Sequence, residues 1–187
     1  SGEALEQLAK IGIAAFDKTG TLTRGHPVVT DVAGQDTLKL AAAIETGLTH
    51  PVAKAIVTEA ERLKVAVPKS ADVTIKQGQG AVGMVGGKQV ALFSPRAAGS
   101  LSADVAASID TLERAGKTVA VLLVDGKYEG HIAVRDEARD DARPAIAALN
   151  ALGIRSLMLS GDNQRTATAV AQGLGMEAEG ELMPADK

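Results

Sequence analysis

Cysteine and tryptophan are absent from these 187 residues, which hold one tyrosine, two phenylalanines and three histidines. Without cysteine there is no disulfide frame and no thiolate metal site. His26, His50 and His131 show no metal-ligand spacing, so the chain has no evident means of selecting a transition metal by itself. No run approaches the roughly 18 uninterrupted apolar residues that span a bilayer, and no basic-then-apolar signal segment opens the chain. A net charge of −3 with no basic stripe argues against nucleic acid as a partner. With so few aromatic rings the core must be built from Val, Ile, Leu and Ala.

What is present is an ordinary globular balance, 45% hydrophobic and 23% charged, with length for one large or two small domains. Ile11–Phe16 is short, apolar and rich in β-formers, and predicts a buried strand ending at Asp17. From His131 onward the pattern alternates. A strand His131–Val134 is followed by a helix with Ile146, Leu149 and Leu152 on one face, closed by Gly153. A strand Arg155–Leu159 and a helix carrying Ala167, Val170, Ala171 and Leu174 before Gly175 come next. Such β–α alternation predicts an α/β, doubly wound parallel sheet.

Between these regions the pattern differs. Asp36 could cap a helix from Thr37 to Thr46, and Pro51 opens another with Val52, Ile56, Ala60 and Leu63 on one stripe. Short strands at Val73–Lys76, Ala81–Val85 and Gln89–Leu92, with a Gly86-Gly87 hairpin, precede a helix over Ser102–Ala115. A strand Thr118–Val124 then turns at Asp125-Gly126 into Tyr128–Val134. This predicts an α+β domain, helices to one side, inserted into the first. The expected boundaries are 1–25 with 131–187 for the outer domain and 26–130 for the inserted one, with glycine-flanked crossings as hinges.

Asp17-Lys18-Thr19-Gly20-Thr21-Leu22-Thr23 is the stretch that carries chemistry. A carboxylate leaving a parallel strand at its carboxyl end lies where open α/β sheets bind ligands, and the hydroxyls and amides after it can cradle an anion. There Asp17 can act as a nucleophile and carry an aspartyl-phosphate. The same residues are also good turn formers.

The stretch resembles the phosphorylation motif of the P-type ATPases, within the haloacid dehalogenase superfamily. Thr49-His50-Pro51 is similar to the His-Pro signature of the heavy-metal-transporting branch, and Gly78-Gln79-Gly80-Ala81-Val82-Gly83 to its nucleotide loop. Ser160-Gly161-Asp162-Asn163 resembles the family's Thr-Gly-Asp-Asn, and Met183-Pro184-Ala185-Asp186-Lys187 the segment bearing its phosphate-site lysine. The motifs fall in the family's order over nearly the whole chain. The wording at Ile132–Asp136 and Ala138–Arg143 is closest to bacterial zinc/cadmium/lead exporters.

The resemblance implies an ATP-binding, aspartyl-phosphorylated region of a metal-export pump at the cytoplasmic face of a bacterial inner membrane. Its partners would be the pump's own transmembrane and actuator domains, with the transported divalent metal bound elsewhere. Asp17 is then the nucleophile and Lys18, read as a surface residue, supports it. Ser160 and Gly161 would donate to the phosphate, Asp162 orient them or cap the next helix, and Lys187 neutralise the charge. Thr19 stands where the superfamily's phosphatases place an acid/base aspartate, which speaks against a soluble phosphatase and for a longer-lived phosphoenzyme. Mg²⁺ would take Asp17, the Thr19 carbonyl and a further aspartate. That aspartate belongs to a downstream Gly-Asp-Gly-x-Asn-Asp motif missing from these residues, so weak Mg²⁺ binding and inefficient self-phosphorylation are expected.

For the nucleotide, the resemblance implies that Glu45 bonds the adenine amino edge, that His50 fixes the ligand, and that Gly78, Gly80 and Gly83 let backbone approach it. Taken alone, those glycines also fit a hairpin or bulge, and His50 a helix start before Pro51. Asp136 and Arg139 match a family Asp-x-x-Arg segment near the hinge. A non-catalytic nucleotide-sensing module is the remaining alternative.

Overall fold

The computed structural model describes residues 10–183, 185 and 186. It divides into two compact units, Ser1–Gly25 with Glu137–Lys187, and His26–Asp136.

The first unit is built on a parallel sheet of three strands, β1 (Ile13–Asp17), β8 (Arg155–Leu159) and β9 (Glu177–Glu179), in the order β1-β8-β9. Its helices, numbered α4 (Ala142–Ala151) and α5 (Gln164–Leu174) in chain order, cover one face. Met158 packs there on Ile146, Ala167, Ala171 and Leu174, with Leu22 and Ala142 completing the cluster. Of the apolar spacing that predicted these helices, Ile146, Ala167, Ala171 and Leu174 meet the sheet, and Leu149 and Val170 are partly buried against it. Leu152, expected on the same face, is instead 75% exposed past the helix end. Asn163 caps α5, its side chain accepting from the Thr166 N–H at 2.9 Å, and Gly175 ends it at φ +78°. One expectation is corrected: β1 is not buried on both faces, since Ile13 is 56% and Ile11 43% exposed. Among the described residues the helices of this unit pack only on the other face. The two chain crossings run side by side: Thr23 bridges Ala138, and the Arg24 N–H donates to the Glu137 carbonyl at 2.9 Å.

The second unit is a six-stranded antiparallel sheet in the order β2-β7-β6-β5-β4-β3. The strands are β2 (Val28–Ala33), β3 (Ser70–Lys76), β4 (Gly80–Val85), β5 (Lys88–Phe93), β6 (Thr118–Val124) and β7 (Lys127–Arg135). Helices α1 (Thr37–Glu45) and α2 (Pro51–Arg62) pack Leu38, Ala41, Ile44 and Ile56 on Val90, Leu92, Leu122 and Ile132. Helix α3 (Ala103–Arg114) packs Ile109 on Ala91, Val119, Val121 and Ala133. Helices therefore lie on both faces rather than one. The reason is local: the central strands read apolar at consecutive positions, and so bury both faces.

Residues His131–Val134 belong here and not to the parallel sheet. They are the second half of β7, where His131 lies opposite both Val121 of β6 and Ala33 of β2. The unit accordingly extends to Asp136, six residues beyond the expected boundary at 130. Asp36 sits at the start of α1 but makes no capping bond; its carboxylate faces Lys39 at 3.6 Å.

Candidate active site

Two loops leave the parallel sheet at the carboxyl ends of adjacent strands. Asp17 is the last residue of β1 and lies in register with Leu159, so Ser160 is the first residue past the end of β8. After Asp17 the chain makes a wide turn over Lys18–Leu22, closed by the Thr23 N–H donating to the Lys18 carbonyl at 3.1 Å. The Thr23 hydroxyl donates to the same carbonyl at 3.1 Å. Gly20 sits at φ +76° in this turn, a conformation that favours glycine. Thr19 and Gly20 are exposed and Asp17 half-buried.

Lys18 corrects the expectation of a surface position. It is 9% exposed, and its Nζ forms an ion pair with Asp162 Oδ2. The Ser160 hydroxyl donates to the same Oδ2 at 3.0 Å, and the Asp162 N–H donates back to Ser160 Oγ at 3.1 Å. Asp162 thus contacts both Ser160 and Lys18, and the cap of the following helix is Asn163. The structure brings Lys18, Ser160 and Asp162 together at the sheet's end where Asp17 stands. Gly161 is exposed in the loop between them.

Sequence reasoning missed the segment that backs this loop. The Ser160 N–H donates to the Glu179 carbonyl at 2.9 Å, the Glu181 N–H to the Asp162 carbonyl at 2.6 Å, and the Leu182 N–H to the Ser160 carbonyl at 3.1 Å. Gly180 was its available signal, because a Cβ there would lie 2.9 Å from the Asp162 carbonyl oxygen. Lys187 lies outside the described residues. Among those described, no group of three or more His, Cys, Asp or Glu side chains is placed to hold a metal ion. Asp17 and the Thr19 carbonyl are oxygen donors suited to Mg²⁺, which commonly takes one or two carboxylates and completes its shell with water and phosphate oxygens.

The second site lies wholly in the antiparallel unit, between the end of α1 and the start of α2. Glu45 closes α1 and is 3% exposed. His50 is the N-cap of α2: its Nδ1 accepts from the Ala53 N–H at 3.3 Å, with Pro51 at the first helical position. Nδ1 being an acceptor, the ring proton sits on Nε2, 3.1 Å from Glu45 Oε2. That contact is not aligned as a hydrogen bond, and Oε2 has no hydrogen-bond partner among the described residues. Such a buried carboxylate oxygen has capacity to accept a further donor, whether from water or from a ligand. The helix-start role of His50 and its approach to Glu45 therefore coexist.

The glycines have packing reasons of their own. Gly78 lies in the β3–β4 turn at φ +71°. A Cβ on Gly80 would come within 2.0 Å of the Leu92 carbonyl oxygen, and one on Gly83 within 2.9 Å of Val73 and 3.2 Å of Ile44, the neighbour of Glu45. Asp136 accepts from the His26 N–H at 3.2 Å, and Arg139 forms a bidentate pair with Asp141 at 2.9 and 2.8 Å. A third polar cluster was not foreseen. His131 Nδ1 lies 2.7 Å from the Tyr128 hydroxyl and Nε2 3.5 Å from Ser108 Oγ, and nearby Lys117 pairs with Asp31 at 2.6 Å.

A parallel sheet with a carboxylate and a hydroxyl-bearing loop at the carboxyl ends of adjacent strands defines an α/β protein equipped to handle an anion there. The chain belongs to the haloacid dehalogenase-like hydrolases, whose family model matches residues 11–187. It is 44% identical over 193 residues to a zinc/cadmium/lead-transporting P-type ATPase of Shigella sonnei, an alignment covering 100% of this chain and 26% of that protein. The chain thus spans about a quarter of that relative's length. Among solved structures, a zinc-transporting PIB-type ATPase in its E2.Pi state matches at a TM-score of 0.65 and 42% identity, over 100% of this chain and 32% of that one. The catalytic domain of the CPx-ATPase CopB-B, from a study of its conformational changes on nucleotide binding, matches at 0.74 and 25% identity, over 100% and 67%.

Proposed function

We propose that this chain is the ATP-binding and aspartyl-phosphorylation region of an ATP-driven heavy-metal pump, with Zn²⁺, Cd²⁺ or Pb²⁺ as cargo. The observation that carries the reading is Asp17 at the end of β1 beside the Ser160 loop, in a chain 44% identical to a pump of that cargo. A carboxylate oxygen of Asp17 attacks the γ-phosphorus of ATP in line, and the bond from that phosphorus to the β–γ bridging oxygen breaks. ADP leaves with the bridging oxygen, and an acyl phosphate remains on Asp17. The Ser160 hydroxyl and Gly161 N–H donate to the equatorial oxygens, and Lys187 offsets their charge. Bound Mg²⁺, held by Asp17 and the Thr19 carbonyl, would neutralise charge developing on the phosphoryl oxygens. Thr19 cannot draw a proton from water as a carboxylate would, so the phosphoenzyme persists long enough to drive transport.

The nucleotide is held in the antiparallel unit. Adenine offers an exocyclic amino donor, and the open Glu45 Oε2 is the buried acceptor that fits it. His50, Gly78 in the β3–β4 turn, and Gly80 and Gly83 of β4 flank the ligand. The whole protein adds transmembrane and actuator domains, binds its cargo there, and presents this region at the cytoplasmic face of the bacterial inner membrane.

The test uses the full-length protein. Incubated with γ-³²P-ATP and Zn²⁺, it should form an acid-stable phosphoprotein that Asp17→Asn abolishes, with transport lost in parallel. ATP hydrolysis persisting in Asp17→Ala would overturn the reading.

A further inference from the structure

Ser160 has one hydroxyl proton, and in this structure Asp162 takes it. The carboxylate oxygen that accepts it, Oδ2, is the same atom that Lys18 pairs with. The ion pair joins residues 144 apart in sequence, linking the loops that follow β1 and β8. Burying an ion pair costs desolvation, and apolar residues often replace one without loss of stability. This pair lies at the carboxyl ends of the strands, next to Asp17, and not within the apolar cluster under α4 and α5.

We propose that Lys18 and Asp162 are a positioning pair for Ser160. Asp162 holds the hydroxyl in reserve, and Lys18 supplies the countercharge that lets it turn to a phosphoryl oxygen. The proposal rests on Asp17 being the phosphoryl acceptor. The exchange conserves hydrogen bonds: the Ser160 O–H···Oδ2 bond breaks, an O–H···O–P bond forms, and no proton changes owner. The ion pair with Lys18 keeps Oδ2 compensated while the Ser160 bond is given up. Lys18 thus acts through Asp162 and does not touch the phosphate.

The pair therefore has opposite effects on anion binding, which a purely structural role does not. Asp162→Asn weakens the acceptor that competes for Ser160 and leaves the Lys18 charge unbalanced, so inorganic phosphate should bind about fivefold tighter. Lys18→Met removes that countercharge, so phosphate should bind about fivefold more weakly; both figures correspond to unit charges about 4 Å apart screened as in water. The double variant should return to within about twofold of wild type. Lys18→Arg, which keeps the charge, should match wild type and guards against loss of fold in Lys18→Met.

Phosphate affinity would be measured by isothermal titration on this chain with Mg²⁺ present, each variant also being made in the Asp17→Asn background, with thermal melts to check folding. Single variants shifting affinity in the same direction, or Asp162→Asn leaving it unchanged, would overturn the pair. Asp17→Asn should itself tighten binding by removing a repelling charge. Indifference to Asp17→Asn alongside opposite shifts from the pair would instead remove Asp17 as the phosphoryl site. No saturable binding in any variant would remove both.

Discussion

His131 is 4% exposed, and both its ring nitrogens face hydroxyls, Tyr128 on one side and Ser108 on the other. Burial lowers its pKa below the ordinary 6.5, with Asp31 opposing part of that shift. Below 6.5 the unfolded chain binds a proton that the folded one resists. Stability of the antiparallel unit should therefore be full above that pH, fall as pH drops through the folded value, and level off once both states are protonated. Asp31 titrates in a separate window. The Lys117 hydrogen bond, then that of Thr30, holds its carboxyl below 3.8, so its contribution is lost only in stronger acid. Urea midpoints at about pH 7.5 and 5.5 should differ for wild type and converge in His131→Gln. An equal drop in the variant would show that another group is responsible. At this scale, legibility depended on distance along the chain. Glu45 and His50 are five residues apart, and the family resemblance singled out both. The burial of Lys18 was missed because its partner, Asp162, comes from the other end of the sequence. Nothing in Asp-Lys-Thr-Gly reports that meeting.

Among the elements, those with local punctuation were legible. The Gly86-Gly87 turn has φ +57° and +80°, and Asp125-Gly126 has +48° and +76°. These are the left-handed values that tight hairpins need and that their residues advertise. Helices ending at Gly153 and Gly175 were found for the same reason. Strand β2 was not found although Pro27 and Gly34 flank it, because its pairing carries a register shift between Val29 and Asp31 that the sequence does not mark. Nor was β9, three residues with two glutamates. The allegiance of β7 was misread because an apolar run bears no mark of its partner, and pairing with β2 decides it. Gly80 shows how a motif glycine can belong to its element. At φ +141°, with the Leu92 carbonyl oxygen 2.0 Å from where a Cβ would stand, Gly80→Ala must separate β4 from β5. The expected cost is about 3 kcal/mol or more, from strain and lost pairing together. Chemical denaturation measures it, and a loss under about 1 kcal/mol would mean that the strands yield without cost. Because this change acts on the fold, Glu45→Gln is the cleaner probe of nucleotide binding.

At the scale of the whole molecule, the two units differ in how completely each is built. In the antiparallel unit both faces of the central strands are buried. Its ends already meet: Val28 pairs with Arg135, and the His26 N–H bonds Asp136. Cutting the chain at 25/26 and 136/137 removes no strand from that sheet, so residues 26–136 should fold alone. Among the described residues, the parallel unit has three strands and an outer face on which Ile11 and Ile13 stand exposed. Parallel sheets are normally covered on both faces, and buried apolar area is the main favourable term in folding. The parallel unit should therefore be the less stable, and the intact chain should unfold in two steps. Calorimetry should resolve a lower transition assigned to the parallel unit and an upper one reproduced by residues 26–136 alone. Asn163→Ala, which removes the cap of α5, should lower only the first, by the equivalent of about 1 kcal/mol. A single transition whose calorimetric and van't Hoff enthalpies agree would show instead that the units fold as one.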